Sequence, residues 1–216
     1  MMIVTEGTIG VGKSTLAKLL GEHFGTDVFF EKVEGNEILP LFYTMSEEEL
    51  AEKRIPFLLQ LDFLNSRFKM IKEALVNDNN VLDRSIYADM MFAACNNKLG
   101  RISDLELKIY KELSENMMEE LKELPKKNPD LLVYLTADFE TILGRVQKRG
   151  REYELDSELV EYYKMIFESY EEWIHEYKHS PVLIINTNDL DLANNEEDKK
   201  YVLNLVENKL REIRGE

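Results

Sequence analysis

The chain has 216 residues, of which 44% are hydrophobic and 32% charged, with 42 acidic side chains against 27 lysines and arginines. This length and composition fit one α/β domain with a substantial core and exclude a disordered chain. A formal charge of −15 would repel phosphate backbones and anionic membrane surfaces, so we expect neither nucleic acid nor a membrane as a partner.

Cysteine and histidine are scarce, which bears on disulfides and metals. Cys95 is the only cysteine and there are three histidines, so we expect no intramolecular disulfide and no structural metal site. The first apolar run begins at residue 2, which leaves no room for a signal peptide, and no apolar run approaches membrane-spanning length. We therefore expect a cytoplasmic protein.

Short apolar runs alternate with helical patterns along the chain. The runs predict five strands, at residues 2–5, 27–31, 81–83, 130–136 and 181–186. Residues 32–46 are predicted to be irregular, Ser46 and Glu49 predict a capping box, and a long helical pattern then continues to Leu75. Further helices are predicted at 86–98, 103–124, 138–148, 156–178 and from 196 to the C-terminus.

This alternation predicts an α/β fold in which one parallel five-stranded sheet is covered by helices on both faces, as a single domain over residues 1–216. In such a sheet the ligand lies outside the carboxyl ends of the strands. Polar residues at strand ends are therefore the candidates for function.

A glycine-rich loop follows the first predicted strand and fits the pattern G-x-x-x-x-G-K-[ST] without a mismatch. Leucines at helical spacing follow it, and this strand–loop–helix context is one that a chance glycine turn would not supply. Backbone N–H groups of such a loop bind phosphate oxygens, the lysine adds a full charge, and the serine hydroxyl can ligate Mg²⁺. We expect the chain to bind a nucleoside triphosphate through Gly7, Thr8, Ile9, Gly10, Val11, Gly12, Lys13, Ser14 and Thr15.

Two other strand ends carry charged residues. Glu31 closes the second predicted strand, and Asp83 and Arg84 close the third. An acid in the position of Asp83 suits a Mg²⁺ partner, and an adjacent arginine can reach a transferring phosphate. The alternatives are that Glu31 is a solvated loop acid and that Asp83 caps a helix beside a surface arginine.

A basic cluster stands out in this acidic chain: Arg145, Lys148, Arg149 and Arg151. Arg145 and Arg149 are four residues apart on a predicted helix, where like charges repel unless an anion bridges them. The dipole at a helix C-terminus explains one or two of these cations, but a lid at about residues 145–155 that closes over triphosphate explains all four.

Taken together, the segments at residues 7–15, 30–33, 57–60, 66–67, 83–89 and 149–151 resemble, in order, those of the deoxynucleoside kinases. This family includes deoxycytidine, deoxyguanosine and bacterial deoxyadenosine kinases, and the chain is most similar to the bacterial-type purine members. The resemblance covers nearly the whole chain. It implies transfer of the γ-phosphate of ATP, with Mg²⁺, to the 5′-hydroxyl of a deoxynucleoside.

The resemblance also implies roles for the residues around the reacting atoms. Glu31 is similar to the base that accepts the proton of the 5′-hydroxyl, Arg84 to the arginine that holds this carboxylate, and Asp83 to the acid near Mg²⁺. The lid arginines of the family correspond to Arg145, Arg149 and Arg151.

Further residues correspond to the family's deoxynucleoside pocket. Gln60 matches the glutamine that reads the base edge, Glu154 falls where the family keeps a carboxylate on the sugar 3′-hydroxyl, and Tyr43 is a second candidate for that hydroxyl. Ala93 occupies the position of the family's base-stacking phenylalanine. Two rings remain for that role, Phe92 beside it in the chain and Phe63 one turn from Gln60.

Arg67 and Asp89 match the pair that accompanies purine or cytosine substrates in the family. A charged pair would be left unpaired against the methyl group of thymine. We therefore expect deoxyadenosine or deoxyguanosine as substrate, with deoxycytidine also compatible. From the sequence by itself, Arg67 fits a helix-surface salt bridge nearly as well.

Two other functions share parts of this pattern. A nucleoside monophosphate kinase, such as a thymidylate kinase, shares the loop, the Asp-Arg pair and a basic lid, but the acidic surroundings of Glu31 disfavour a phosphorylated acceptor. A nucleotide-sensing module without an acceptor is the second alternative. The resemblance also implies a homodimer through the helices predicted at 47–75 and 103–124.

Overall fold

Five parallel strands form the sheet, in the order β2-β3-β1-β4-β5. In this computed structural model, residues 1–31, 33, 35–77, 79–122, 128–150 and 159–216 are described. The strands are β1 (Met2–Glu6), β2 (Asp27–Phe29), β3 (Asn80–Asp83), β4 (Leu131–Thr136) and β5 (Val182–Asn186). The predicted parallel five-stranded sheet is confirmed.

The helices within the described ranges are α1 (Lys13–Phe24), α2 (Ile38–Thr44), α3 (Glu47–Glu52), α4 (Ile55–Ala74), α5 (Asp89–Lys98), α6 (Asp104–Lys122), α7 (Phe139–Arg149), α8 (Leu159–Glu176) and α9 (Glu196–Arg214). A 3₁₀ turn at Ile86–Ala88 precedes α5. None of the helices in these ranges combines the length and the apolarity that a membrane crossing requires.

Helices cover both faces of the sheet. Successive side chains of a strand point to opposite faces, so the apolar residues of β1 are buried only if both faces are covered. Ile3 of β1 packs with Leu16 of α1 and Val206 of α9. Its neighbour Val4 packs on the other face with Leu64 of α4. The strands β1 and β3 are buried along their whole length, with apolar residues in the middle and buried polar residues at their ends.

The predicted irregular stretch at 32–46 is wrong in part, because α2 lies within it. Asn36 Oδ1 accepts hydrogen bonds from the backbone N–H groups of Ile38 (2.9 Å) and Leu39 (2.8 Å) at the start of this helix. A helix of seven residues containing Pro40 has too short a periodic pattern to stand out in the sequence.

The capping box of Ser46 and Glu49 is present, but the helical pattern that follows it is interrupted. The helix α3 ends before Arg54, whose φ of 54° is left-handed, and α4 then starts with Pro56 in its first turn. Arg54 also forms an ion pair with Glu106 of α6. Pro56 has no N–H to bond to the carbonyl group four residues earlier, so a continuous helix is disfavoured at this point.

The phosphate-binding edge of the sheet is where β1, β3 and β4 end. In the parallel register Thr5 lies beside Asp83, so the loop after β1 and the turn after β3 emerge side by side. The strand β2 ends at Phe29, two residues earlier than predicted, and Glu31 lies just beyond it.

Candidate active site

The glycine loop joins β1 to α1 and takes backbone angles that favour glycine. Gly7 has a φ of 141°, and a Cβ there would lie 2.3 Å from the carbonyl oxygen of Leu135. At Gly10, with a φ of 83°, a Cβ would lie 2.7 Å from a methyl carbon of Val146. The loop therefore packs directly on β4 and α7, and its N–H groups lead into the N-terminus of α1.

Lys13 lies almost fully buried at the start of α1, and its Nζ donates a hydrogen bond to the Thr8 carbonyl oxygen (2.8 Å). Burial lowers the pKa of Lys13 to about 7, and the nearby Arg84 guanidinium adds to the shift. A phosphate group beside Nζ would favour the charged form again. The residue is thus placed to bind an anion.

Ser14 and Asp83 form a candidate Mg²⁺ site. The Ser14 hydroxyl donates a hydrogen bond to Oδ2 of Asp83, and burial raises the pKa of this carboxyl group. The other oxygen, Oδ1, is buried and has no hydrogen-bond partner among the described residues. A hydroxyl beside an unpartnered carboxylate oxygen fits Mg²⁺, which binds proteins through one or two such ligands and takes the rest from phosphates and water.

Glu31 lies between two arginines. Arg84 Nε donates to its Oε2 (2.8 Å), and Arg67 Nη2 donates to its Oε1. Burial would raise the pKa of Glu31, but the two guanidinium groups outweigh burial and lower it to about 2. The side chain is therefore an ionised carboxylate at neutral pH, held beside the phosphate loop rather than in a solvated loop.

A cavity of about 620 Å³ extends from the phosphate loop along α4 and holds most of the predicted substrate residues. This size is typical of small-molecule sites. Its lining includes Ile9, Gly10, Lys13, Ser14, Glu31, Tyr43, Gln60, Phe63, Arg67, Asp83, Arg84 and Arg149.

Gln60, Phe63 and Arg67 share one face of α4, because they are three and four residues apart. Both candidate stacking rings line the cavity, with Arg67 lying 4.9 Å from the Phe63 ring and Arg84 lying 5.2 Å from the Phe92 ring. The structure thus brings the predicted base-reading side of the site together with the predicted catalytic side.

Asp89 lies behind Arg67 at the start of α5 and pairs with its Nη1. Burial raises the pKa of Asp89 to about 7, although the Arg67 charge opposes this shift. Arg67 is itself buried, so the pair is not the helix-surface salt bridge that the sequence also allowed.

Arg145 of the predicted lid is held by several hydrogen bonds. Its guanidinium donates to the carbonyl oxygens of Val11 (3.3 Å), Thr187 (2.5 Å) and Leu190 (3.2 Å) and to the Thr187 hydroxyl (2.8 Å). These bonds tie α7 to the phosphate loop and to the loop after β5, and the lid role of Arg145 stays a prediction.

A second cavity, of about 520 Å³, opens beside Arg145 on the other side of the phosphate loop. Arg149 lines both cavities. The remaining predicted residues of this region, Arg151 and Glu154, lie outside the described residues, as do residues 151–155 of the predicted lid.

Two buried polar residues of the site are not predicted from the sequence. Glu6, the last residue of β1, is fully buried and faces Arg84 across 3.7 Å. Tyr170 of α8 accepts a hydrogen bond from Arg84 Nη1 (2.5 Å). An acid directly before the phosphate loop was a readable signal for Glu6, whereas nothing in the helical pattern distinguishes Tyr170 from its neighbouring tyrosines.

The parallel sheet, the phosphate loop, the buried acid–arginine site and the adjoining cavity define a phosphate-loop kinase that acts on a small molecule. Comparison with known proteins narrows this class. The profile of the family described as "Deoxynucleoside kinase" matches residues 3–211, and the chain belongs to that family.

Named relatives and solved structures agree with this assignment. A deoxyguanosine kinase from Lactobacillus johnsonii is 46% identical, with 98% of this chain and 93% of that protein covered. A deoxyadenosine kinase from Lactobacillus acidophilus is 42% identical, with 98% and 97% covered. The structure of the deoxyadenosine kinase from M. mycoides with dCMP and dCDP bound superposes with a TM-score of 0.80 at 25% identity, covering 96% of this chain and all of that one.

Proposed function

We propose that this deoxynucleoside kinase uses ATP and Mg²⁺ to phosphorylate the 5′-hydroxyl of deoxyadenosine or deoxyguanosine, with deoxycytidine as a weaker substrate. The observation that carries the proposal is the 620 Å³ cavity, which brings the phosphate loop, Glu31 and Arg67 together, with Asp89 buried behind Arg67. Relatives named for both purine deoxynucleosides support it.

In the proposed reaction the 5′-oxygen attacks the γ-phosphorus, and the bond from that phosphorus to the β–γ bridging oxygen breaks, so that ADP leaves. Glu31 accepts the proton of the hydroxyl. Because the transition state of phosphoryl transfer is loose, the hydroxyl loses its proton late, and a carboxylate of low pKa suffices if it is well placed. Arg84 holds this carboxylate and faces the transferring group.

The phosphate loop and Lys13 bind the β- and γ-phosphates in this scheme. Ser14 and Asp83 would hold Mg²⁺, which would neutralise part of the charge on the phosphates. Arg149 and Arg151 are proposed to reach the same phosphates from the end of α7. The second cavity, beside Arg145, is proposed to take the base of ATP.

Within the cavity, the Gln60 amide is proposed to offer a donor and an acceptor to the base edge. Arg67 Nε and Asp89 Oδ2 are buried without a hydrogen-bond partner among the described residues, and we propose that they favour an amino- or keto-bearing base over the methyl of thymine. Phe63 and Phe92 are proposed to hold the base between them, and Tyr43 and Glu154 to bind the sugar 3′-hydroxyl.

We also propose a homodimer through α4 and α6. Leu58 of α4 and Leu105 and Ile109 of α6 are large apolar side chains that are 43%, 67% and 46% exposed. A second copy packed on this face would remove them from water.

A panel of acceptors tests the proposal. Initial rates with ATP are measured on the four deoxynucleosides and on dAMP and dTMP. Purine deoxynucleosides should give the largest kcat/KM. Faster use of dAMP or dTMP would instead indicate a monophosphate kinase, and nucleotide-dependent partner binding with no product from any acceptor would indicate a sensing module.

A further inference from the structure

Glu6 makes an unusually complete set of contacts for a fully buried carboxylate. Its Oε2 accepts from the backbone N–H (3.0 Å) and the hydroxyl (3.0 Å) of Ser85, and its Oε1 accepts from the Gly7 N–H (3.2 Å) and the Tyr170 hydroxyl (3.0 Å). One side chain therefore joins the first residue of the phosphate loop, the turn after β3 and the helix α8. Burying a carboxylate costs desolvation free energy, so we expect its contacts to have a structural or functional role.

Tyr170 connects this acid to the arginine of the site. Burial raises the pKa of Tyr170 well above its usual range, so the hydroxyl keeps its proton at neutral pH. With that proton donated to Glu6, the hydroxyl oxygen accepts from Arg84 Nη1 (2.5 Å). Arg84 Nε then faces Glu31 at 2.8 Å.

Arg84 depends on outside support for its conformation. Its φ of 76° is in the left-handed region, which is uncommon for a residue with a long side chain and persists only where the surroundings enforce it. The two hydrogen bonds from Ser85 to Glu6 hold the backbone next to it, and Tyr170 holds the far end of its guanidinium.

We propose that Glu6 and Tyr170 are positioning residues for phosphoryl transfer, which fix the Arg84 guanidinium so that it presents Glu31 to the 5′-hydroxyl. This inference rests on the proposed role of Glu31. Neither residue lines the acceptor cavity, so both act through Arg84. Without the Tyr170 hydroxyl, the direct attraction between Arg84 and Glu6, 3.7 Å apart, would draw the guanidinium off Glu31.

The test uses Tyr170→Phe, which removes one oxygen and leaves the ring packed against Phe92 and Trp173. We expect kcat to fall about 10-fold with the KM of ATP and of the deoxynucleoside within about twofold, since only the reacting geometry changes. The matched control is Tyr134→Phe, which removes a hydroxyl bonded to Glu171 (3.0 Å) from a ring that lies beside Tyr170. It should retain wild-type kcat.

A double-variant cycle separates positioning from general packing. In an Arg84→Lys background the guanidinium contact to Tyr170 is already lost, so adding Tyr170→Phe should lower kcat by less than about twofold. Additive losses, or an unchanged kcat in the single Tyr170→Phe variant, would overturn the proposal. Rates are taken on whichever acceptor the wild type phosphorylates best, so a wrong substrate assignment appears in the wild-type panel and not in these ratios.

Discussion

Arg67 of α4 and Asp89 of α5 form a buried ion pair, with side chains 5% and 1% exposed, and Arg67 also lines the cavity and contacts Glu31. Both positions are expected to set base choice. Arg67→Met together with Asp89→Ala should raise the ratio of kcat/KM for thymidine to that for deoxyadenosine by roughly 100-fold, because the methyl of thymine no longer leaves a charge unpaired. Competition assays with both nucleosides measure this ratio.

The single variants of this pair serve as its control. Arg67→Met leaves the buried Asp89 carboxylate without its partner, which costs about 3 kcal/mol, whereas Asp89→Ala leaves Arg67 paired with Glu31 and the double variant removes both charges. Urea unfolding should therefore find Arg67→Met less stable than the double variant. A double variant that keeps the wild-type base preference would remove the pair from base recognition.

Glu31→Gln should lower kcat by about 100-fold or more and leave ATP binding nearly intact, because the amide cannot accept the hydroxyl proton but occupies the same space. Initial rates and a nucleotide titration measure the two effects. Glu37→Gln, at an exposed residue of the same loop, is the control and should behave as the wild type. Equal turnover in the two variants would exclude Glu31 as the base.

The depressed pKa of Glu31 predicts a pH dependence of stability. The folded protein keeps this group ionised down to a pKa of about 2, while the unfolded chain takes up a proton near its ordinary value. The stabilisation is therefore complete above about pH 5 and declines as the pH falls. Between pH 5.5 and pH 4, the free energy of unfolding should fall by about 1 kcal/mol more in the wild type than in Glu31→Gln. Equal falls in urea titrations would contradict the low pKa.

Ser14→Ala and Asp83→Asn test the metal site. Each removes one oxygen ligand or its charge, so the Mg²⁺ concentration that gives half-maximal rate should rise about 10-fold. The KM of the deoxynucleoside at saturating Mg²⁺ should change little, because neither residue is proposed to bind the acceptor. A Mg²⁺ requirement equal to that of the wild type would place the ion elsewhere.

Leu105→Glu tests the proposed homodimer. A charge on the exposed apolar face of α6 should convert a dimer to a monomer, because it would be buried without a partner. Sedimentation measures the mass. Ile213→Glu is the matched control, since Ile213 is an exposed apolar residue on the separate helix α9. A dimer that survives Leu105→Glu and not Ile213→Glu would assign the interface to α9.

The sheet, most helices and the phosphate loop could be read from the sequence, because buried strands and amphipathic helices leave periodic patterns. The break at Arg54 has a local signal in Pro56, which disfavours a continuous helix, although the apolar periodicity runs through it. The helix α2 has only seven residues, which is too few for a periodic apolar pattern to be recognised.

Within the site, the same limit applies. Glu31 and Arg84 are predicted from strand ends, Gln60 and Arg67 from the family resemblance, and the structure brings the four to one cavity. The hydrogen bonds of Arg145 depend on the loop after β5, more than 40 residues away, so a local count of cations cannot predict them. Tyr170 contacts Glu6 only because α8 packs over the end of β1. The spacing of residues along one helix cannot predict such a contact.

Arg67 touches two partners at once, with one nitrogen toward Glu31 and another toward Asp89. The same side chain therefore affects both the proposed choice of base and the proposed rate of phosphoryl transfer. A lineage that adapts this cavity to a new nucleobase by changing Arg67 also removes one of the two arginines that hold Glu31, and it must restore the position of that acid by a compensating change before the new activity can match the old. Evolution of substrate range here is expected to proceed through slow intermediates.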